Sequence, residues 1–237
     1  MYDARSPHTI IPFDLYRDIH KAIRVALFDI TVAAGTVDPN DCTARIAHAI
    51  RVHDVVNFLI LHAKHEDEFV DPAIQQVLPD EAEAIAAEHA VLEARMNTLL
   101  ELADLAFEAG RDDVRAAVHD LYMELASFTS AYLVHQAIEE RVVMPALWNK
   151  FGFEPLLGMH QALLASISPD DMGWSLSKML PAMNIDDRTD MLGGMRASAP
   201  PEAFAGVCAL AKQVIKPADY AALSQRLDLE PVTTEVG

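Results

Sequence analysis

The sequence predicts an all-α protein. Apolar residues recur at three- and four-residue steps, and Ala, Leu, Glu and Met dominate. No convincing run alternates apolar and polar residues with the period of a strand. Breakers are far apart over the first 150 residues and close together afterwards. The chain is therefore read as four long helices in residues 1–152 and a helical extension in residues 153–237.

The elements follow in order. Asp14 is a fitting N-cap for a first helix reaching Ala34, with Gly35 as its stop. Asp38-Pro39-Asn40-Asp41 opens a second helix that continues to about Gln76. Pro79-Asp80 opens a third, which ends near Ala109 before Gly110. A fourth starts near Asp112 and runs to about Lys150, with Gly152 after it. Long amphipathic helices joined by a few residues make antiparallel neighbours, so the expected architecture is an up-down-up-down four-helix bundle. Pro72 and Pro145 fall late in the second and fourth helices, where they should kink or loosen the last turns. Beyond residue 152, Ser168-Pro169, Asn184-Ile185-Asp186-Asp187, Pro200-Pro201-Glu202 and Lys216-Pro217 open four or five short helices. These are expected to pack on the long helices, on a protein partner or on a second copy of the chain. Trp174, Met179, Leu180 and Met183 read as packing residues, and His160 stands alone.

Composition narrows the function. The 237 residues carry 18 basic and 36 acidic side chains, a net charge of −18. Such a surface repels phosphate backbones and anionic lipid, which argues against nucleic acid and membrane surfaces as partners. Only Cys42 and Cys208 are present, too few for a disulfide framework. The segment Met1–Pro7 lacks the pattern of a signal peptide, and no apolar stretch approaches a membrane span. The expected setting is the cytoplasm.

The chemistry lies in a motif that occurs twice. His62-Ala-Lys-His-Glu66-Asp67 leads to Pro72, and His135-Gln-Ala-Ile-Glu139-Glu140 leads to Pro145. Both fit H-x-x-x-E-[DE]-x-x-x-x-P. Four residues on a helix correspond to about 40° of rotation and roughly 6 Å of rise, so each His and Glu share a face. An imidazole beside a carboxylate is a two-toothed claw for a transition metal, and two claws suggest a metal pair.

Two single histidines complete the set. His20 precedes His62 by 42 residues and His89 precedes His135 by 46, as if one hairpin occurred twice. Glu93, four residues after His89, shares its face and is a further candidate ligand. Four imidazoles with two or three carboxylates and no thiolate suit iron or manganese over structural zinc. Phe58, Leu59, Phe128, Ala131 and Tyr132 would make a dry, narrow pocket, and Tyr132 could donate a hydrogen bond to a bound ligand. His65 reads as a neighbour of the claw. His8, His48, His53 and His119 read as ordinary.

The arrangement His20, His62-x-x-x-Glu66, His89, His135-x-x-x-Glu139 resembles the hemerythrin-like, or HHE cation-binding, proteins over about residues 12–150. The resemblance implies a four-helix bundle holding a non-heme, oxo- or hydroxo-bridged di-iron centre. It assigns His20 and His62 to one iron, His89 and His135 to the other with Glu93 as a further ligand, and Glu66 and Glu139 as bridges. Two positions depart from the oxygen carriers of that family. Glu93 stands where they have a second histidine, and His135-x-x-x-Glu139 replaces His-x-x-x-x-Asp. The tail is similar to the helical extension of some bacterial members.

The functional expectation is a di-iron protein that binds or senses oxygen, nitric oxide or peroxide. A redox enzyme consuming peroxide or nitric oxide, motivated by the extra carboxylate Glu93, is the alternative, and iron handling is a third class. The Glu-x-x-His of ferritin-like sites, the H-E-x-x-H of metalloproteases, the G-x-S-x-G elbow and a phosphate-binding Gly loop are all missing from the sequence.

Overall fold

The computed structural model describes residues 11–229, so His8 and the Met1–Pro7 segment lie outside it. Among the described residues every regular element is helical. None of these helices is long and apolar enough to cross a membrane. The chain divides into two compact units, 1–166 and 167–237.

The first unit is built on four long helices, α1 (Arg17–Thr36), α2 (Cys42–Phe69), α4 (Pro79–Glu108) and α5 (Val114–Ile138). Shorter helices α3 (Asp71–Val77), α6 (Met144–Phe151) and α7 (Phe153–Ser166) complete it, and a π-helical turn, Glu139–Val143, joins α5 to α6. Helix α1 packs on α2 and α5, and α4 packs on the same two, so each long helix has two long neighbours. Their shared core includes Ile23, Leu27, Val56, Leu59, Leu99, Leu125 and Phe128, all essentially inaccessible. Burying each such side chain contributes roughly 1.5–3 kcal/mol.

A second apolar cluster closes one end of the unit. Tyr16, Val70, Ile74, Ile85, Val143, Met144, Leu147 and Leu156 pack together there. They come from the starts of α1 and α4 and from just beyond α2 and α5. Leu156 is fully buried in this cluster. That contact joins α7, which the division at residue 152 would give to the extension, to the first unit.

Local sequence explains the helix ends, with two surprises. The Asp14 carboxylate accepts from the Tyr16 and Arg17 N–H groups at 2.9 and 3.0 Å, holding the start of α1. Asp41 does the same for α2 through Ala44 N–H. Gly35, expected as the stop of α1, lies inside the helix. A Cβ there would meet the Tyr122 ring at 3.1 Å, so glycine permits a close approach of α5. The expected long second and fourth helices are also interrupted. Helix α2 ends at Phe69, and Pro72 restarts the chain as α3. After α5 the backbone widens into the π turn, in which Met144 N–H donates to Glu139 C=O, and Pro145 opens α6. Proline has no N–H to donate and its ring collides with the carbonyl four residues back, so the backbone upstream must adjust.

The second unit holds α8 (Pro169–Ala182), α9 (Ile185–Ser198), α10 (Pro201–Val214) and α11 (Pro217–Arg226). Leu176, Leu180, Leu192, Ala211, Ile215 and Leu223 form its core. Ser168 and Asn184 cap α8 and α9, Asn184 in a reciprocal capping box with Asp187. The buried Arg188 donates to the Leu180 and Pro181 carbonyls at the end of α8.

Candidate metal centre

The four long helices each deliver an imidazole to one place. His20 comes from α1, His62 from α2, His89 from α4 and His135 from α5. Glu66 is one turn after His62, and Glu139 is the first residue of the π turn. His20, Glu139, His135, Glu66 and His62 are 0, 1, 3, 4 and 8% exposed, which is rare for such polar groups unless something satisfies them. His89 is partly buried.

The donor atoms fall into two overlapping sets, His20–His62–Glu66 and Glu66–His89–His135–Glu139, each gathered within 4.8 Å. The two carboxylates link the sets. Glu66 Oε1 lies 3.1 Å from His62 Nε2, while its Oε2 lies 3.8 Å from His89 Nε2. Glu139 Oε1 lies 3.2 Å from His135 Nε2, and its Oε2 lies 3.4 Å from His20 Nε2. Each carboxylate thus turns one oxygen to one histidine pair and the other oxygen to the second pair.

A ring of outer carboxylates orients the imidazoles. His20 Nδ1 donates to Glu140 at 3.0 Å, His89 Nδ1 to Asp67 at 2.9 Å and His135 Nδ1 to Glu88 at 3.2 Å. Arg24 holds Glu140 with two hydrogen bonds of 2.7 and 3.0 Å. Such contacts fix which ring nitrogen is free to bind a cation and make it more basic. The acidic residue after each motif glutamate therefore has a defined task. Asp67, on α2, reaches the single histidine of α4, and Glu140 reaches the single histidine of α1.

Three observations make this a candidate cation site. First, His89 Nδ1 contacts Asp67 and His135 Nδ1 contacts Glu88, which turns the two Nε2 atoms toward each other. Those two nitrogens are 3.1 Å apart, close enough to share a proton or to face one cation. Second, His20 Nε2, both oxygens of Glu66 and Glu139 Oε2 are buried without a hydrogen-bond partner. Third, the local field is negative. Burial pushes His20 down, but Glu140, Glu66 and Glu139 outweigh it and raise its pKa from 6.5 to about 9. His135 is raised to about 9 in the same way, burial being overcome by Glu139, Glu66 and Glu88. Burial would raise Glu66, yet His62 and His20 hold it below the ordinary carboxylate range. Glu140 falls to about 2 because His20 and Arg24 outweigh its burial.

The donors are imidazole nitrogens and carboxylate oxygens only. Cys42 is exposed and Cys208 belongs to the second unit, so no thiolate takes part. Four imidazoles and two carboxylates shared between neighbouring positions fit a pair of transition-metal ions of intermediate hardness. Phe58, Leu59, Phe128 and Tyr132 are buried and Ala131 is partly so.

Six of the seven candidate ligands come together here, and Glu93 does not. The inward line of α4 runs through Ile85, Leu92, Met96 and Leu99. Glu93, one position past Leu92, is turned about 100° from that line and is exposed. Sequence reasoning missed Asp67, Glu88 and Glu140 as orienting groups. The repeated acid in the motif is the signal for two of them; Glu88 carries none beyond its place before His89. Of the other histidines, His53 pairs with Asp104 at 2.8 Å on an exposed face, and His48 is buried with neither ring nitrogen partnered. His160 packs edge-on to Phe13. Among the described residues the second unit contributes to no such donor group.

No family model, no curated protein and no solved structure matches this chain.

Proposed function

We propose that the protein is a non-heme di-iron protein of hemerythrin-like type that binds a small oxygen- or nitrogen-containing ligand: dioxygen, nitric oxide or peroxide. In this reading the four long helices are an up-down-up-down bundle. His20 and His62 hold one iron, His89 and His135 hold the other, and Glu66 and Glu139 bridge them. The observation that carries the proposal is the pair of carboxylates, each turning its two oxygens to different histidine pairs.

When bound, an iron pair supplies ferrous–ferric redox chemistry and positions at which a small ligand can be held. The chain's own contribution is arrangement. Glu140, Asp67 and Glu88 keep Nδ1 protonated and Nε2 free on three of the four imidazoles. The apolar residues around the donors exclude water and strengthen every electrostatic contact inside. Two bidentate carboxylates and four monodentate imidazoles leave coordination positions for an exogenous ligand.

The competing reading, a peroxide- or nitric oxide-consuming enzyme, leans on Glu93 as a third carboxylate. Glu93 is exposed and outside both donor sets, so binding or sensing is preferred. Metal analysis of protein purified without added metal, joined to its optical spectrum, tests the proposal. Two irons per chain are expected. Stopped-flow mixing of the reduced protein with oxygen should give a charge-transfer band that disappears on degassing. Manganese in place of iron, or immediate irreversible oxidation, would overturn it.

A further inference from the structure

We infer that Tyr16 is the residue that positions the exogenous ligand, its phenolic O–H donating a hydrogen bond to a small anion or diatomic held at the metal pair. The inference rests on the di-iron reading and adds to it a residue that the ligand set does not contain.

The placement comes from the backbone. Tyr16 precedes α1, where the Asp14 carboxylate accepts from its N–H at 2.9 Å. Its carbonyl accepts from His20 N–H at 2.9 Å, so the ring lies one turn before the histidine. The two ring centroids are 5.2 Å apart. The ring is clamped in the apolar cluster formed with Val70, Ile74, Val143 and Met144. Tyr16 is 2% exposed, and its hydroxyl is buried with no hydrogen-bond partner. A phenol buried in an apolar shell normally finds a partner for its O–H, because an unmade hydrogen bond costs stability.

The ring's place beside His20 narrows that partner. Burial pushes the phenol well above its ordinary value, and the charges of Glu139 and then Glu66 push it further. A phenol is a donor at ordinary pH, and this one stands beside His20 with its hydrogen bond unmade. The oxygens of Glu66 and Glu139 would be taken by metal, so the acceptor is an exogenous ligand in competition with Asp71, whose Oδ1 is also buried without a partner. Tyr132 is the other tyrosine packed on a site histidine, buried one turn before His135 with ring centroids 5.8 Å apart. Sequence alone points to Tyr132. The unpartnered hydroxyl points to Tyr16.

The probe is azide, a small anion that serves as a stand-in for the ligand, titrated into the iron-loaded full chain. Tyr16→Phe should keep its iron and its helical circular dichroism and bind azide about tenfold more weakly, the loss expected for one hydrogen bond to a charged acceptor. Tyr132→Phe should bind as the unaltered chain does. Unchanged azide affinity in Tyr16→Phe, or weakening only in Tyr132→Phe, overturns the assignment and leaves the di-iron reading standing. Loss of iron or of a phenolate-to-iron absorption band in Tyr16→Phe makes Tyr16 a ligand and also overturns it. A measurement on the unaltered chain does not depend on the variant folding. The bound azide stretching frequency should shift on transfer to heavy water, and no shift overturns the inference. If the unaltered chain takes up no metal pair, the functional proposal fails first and carries this one with it.

Discussion

The two copies of the repeated motif meet their prolines differently. After Glu66 the helix stops at Phe69, and Pro72 starts a new one. After Glu139 the helix does not stop but widens into a π turn that runs into Pro145. Yet His62 Nε2 lies 3.1 Å from Glu66, and His135 Nε2 lies 3.2 Å from Glu139. The four-residue span between His and Glu is helical in both copies, so the distortion falls downstream of it. What differs is the residue after the glutamate. Asp67 is still in a regular helix and mostly exposed, with its side chain at 60%; Glu140 lies in the π turn at 24% and is gripped by Arg24. The His–Glu pairs are insensitive to how a helix ends, whereas the groups that orient the neighbouring histidines depend on it.

That comparison can be broken most directly at the shared carboxylates. Glu66→Ala and Glu139→Ala should each reduce bound metal at least about tenfold, because either change takes an oxygen from both positions. Metal analysis alongside far-ultraviolet circular dichroism checks this. Two ions retained in either variant with an unchanged spectrum would sink the bridging assignment.

The orienting acids come next. Glu140→Gln should weaken metal binding by about 10- to 100-fold, within the range for groups that hold a ligating histidine. Asp67→Asn should cost less, since solvent already competes for its contact with His89. Competition with a chromophoric chelator measures both, and equal effects would erase the asymmetry between the copies.

A third test separates the prolines. Pro145→Ala lets the chain after Glu139 return to an α-helix, which moves Glu140 away from His20. Metal affinity should then fall about as far as in Glu140→Gln. Pro72→Ala should change it less than about threefold. Like responses from the two prolines would mean that the π turn has no bearing on the centre.

The smallest effect is expected at His48, the control for removing a buried histidine from α2. Burial and Arg51 lower its pKa from 6.5 to about 4. The folded chain therefore refuses a proton that the unfolded chain accepts below 6.5. Stability falls as the pH drops from 6.5 towards 4, and below 4 the loss is complete. His48→Leu should leave metal content unchanged and shift acid unfolding to lower pH. A variant that loses metal, or unfolds at the same pH, contradicts this.

The helices were largely legible from the sequence because composition and breakers agree, and Asp14 and Asp41 hold the helix starts as their residue types suggest. The interruptions were not. Pro72 and Pro145 have the same signature in sequence, and whether a helix breaks or widens depends on packing of Val143, Met144 and Leu147 that no local pattern records. Gly35 misled because a close approach by Tyr122 and a helix stop call for the same residue. At the site, duplication singled out His62, Glu66, His135 and Glu139, and spacing added His20 and His89. Glu93 has the same four-residue spacing from His89, but spacing does not say which side of that shared face turns inward. Glu88, Asp67 and Glu140 act across helices, on histidines far away in the chain, and Tyr16 matters through a contact it lacks.

The exchange of acids between hairpins has a consequence for how the centre fills. Asp67 of the first hairpin steadies His89 of the second, and Glu140 of the second steadies His20 of the first. Glu66 and Glu139 likewise divide their oxygens between the two sides. The first ion to arrive would therefore draw the second pair of imidazoles into place, and a half-filled molecule should be scarce. Uptake would follow a steep, cooperative curve, with empty and doubly occupied chains predominating at every intermediate supply of metal.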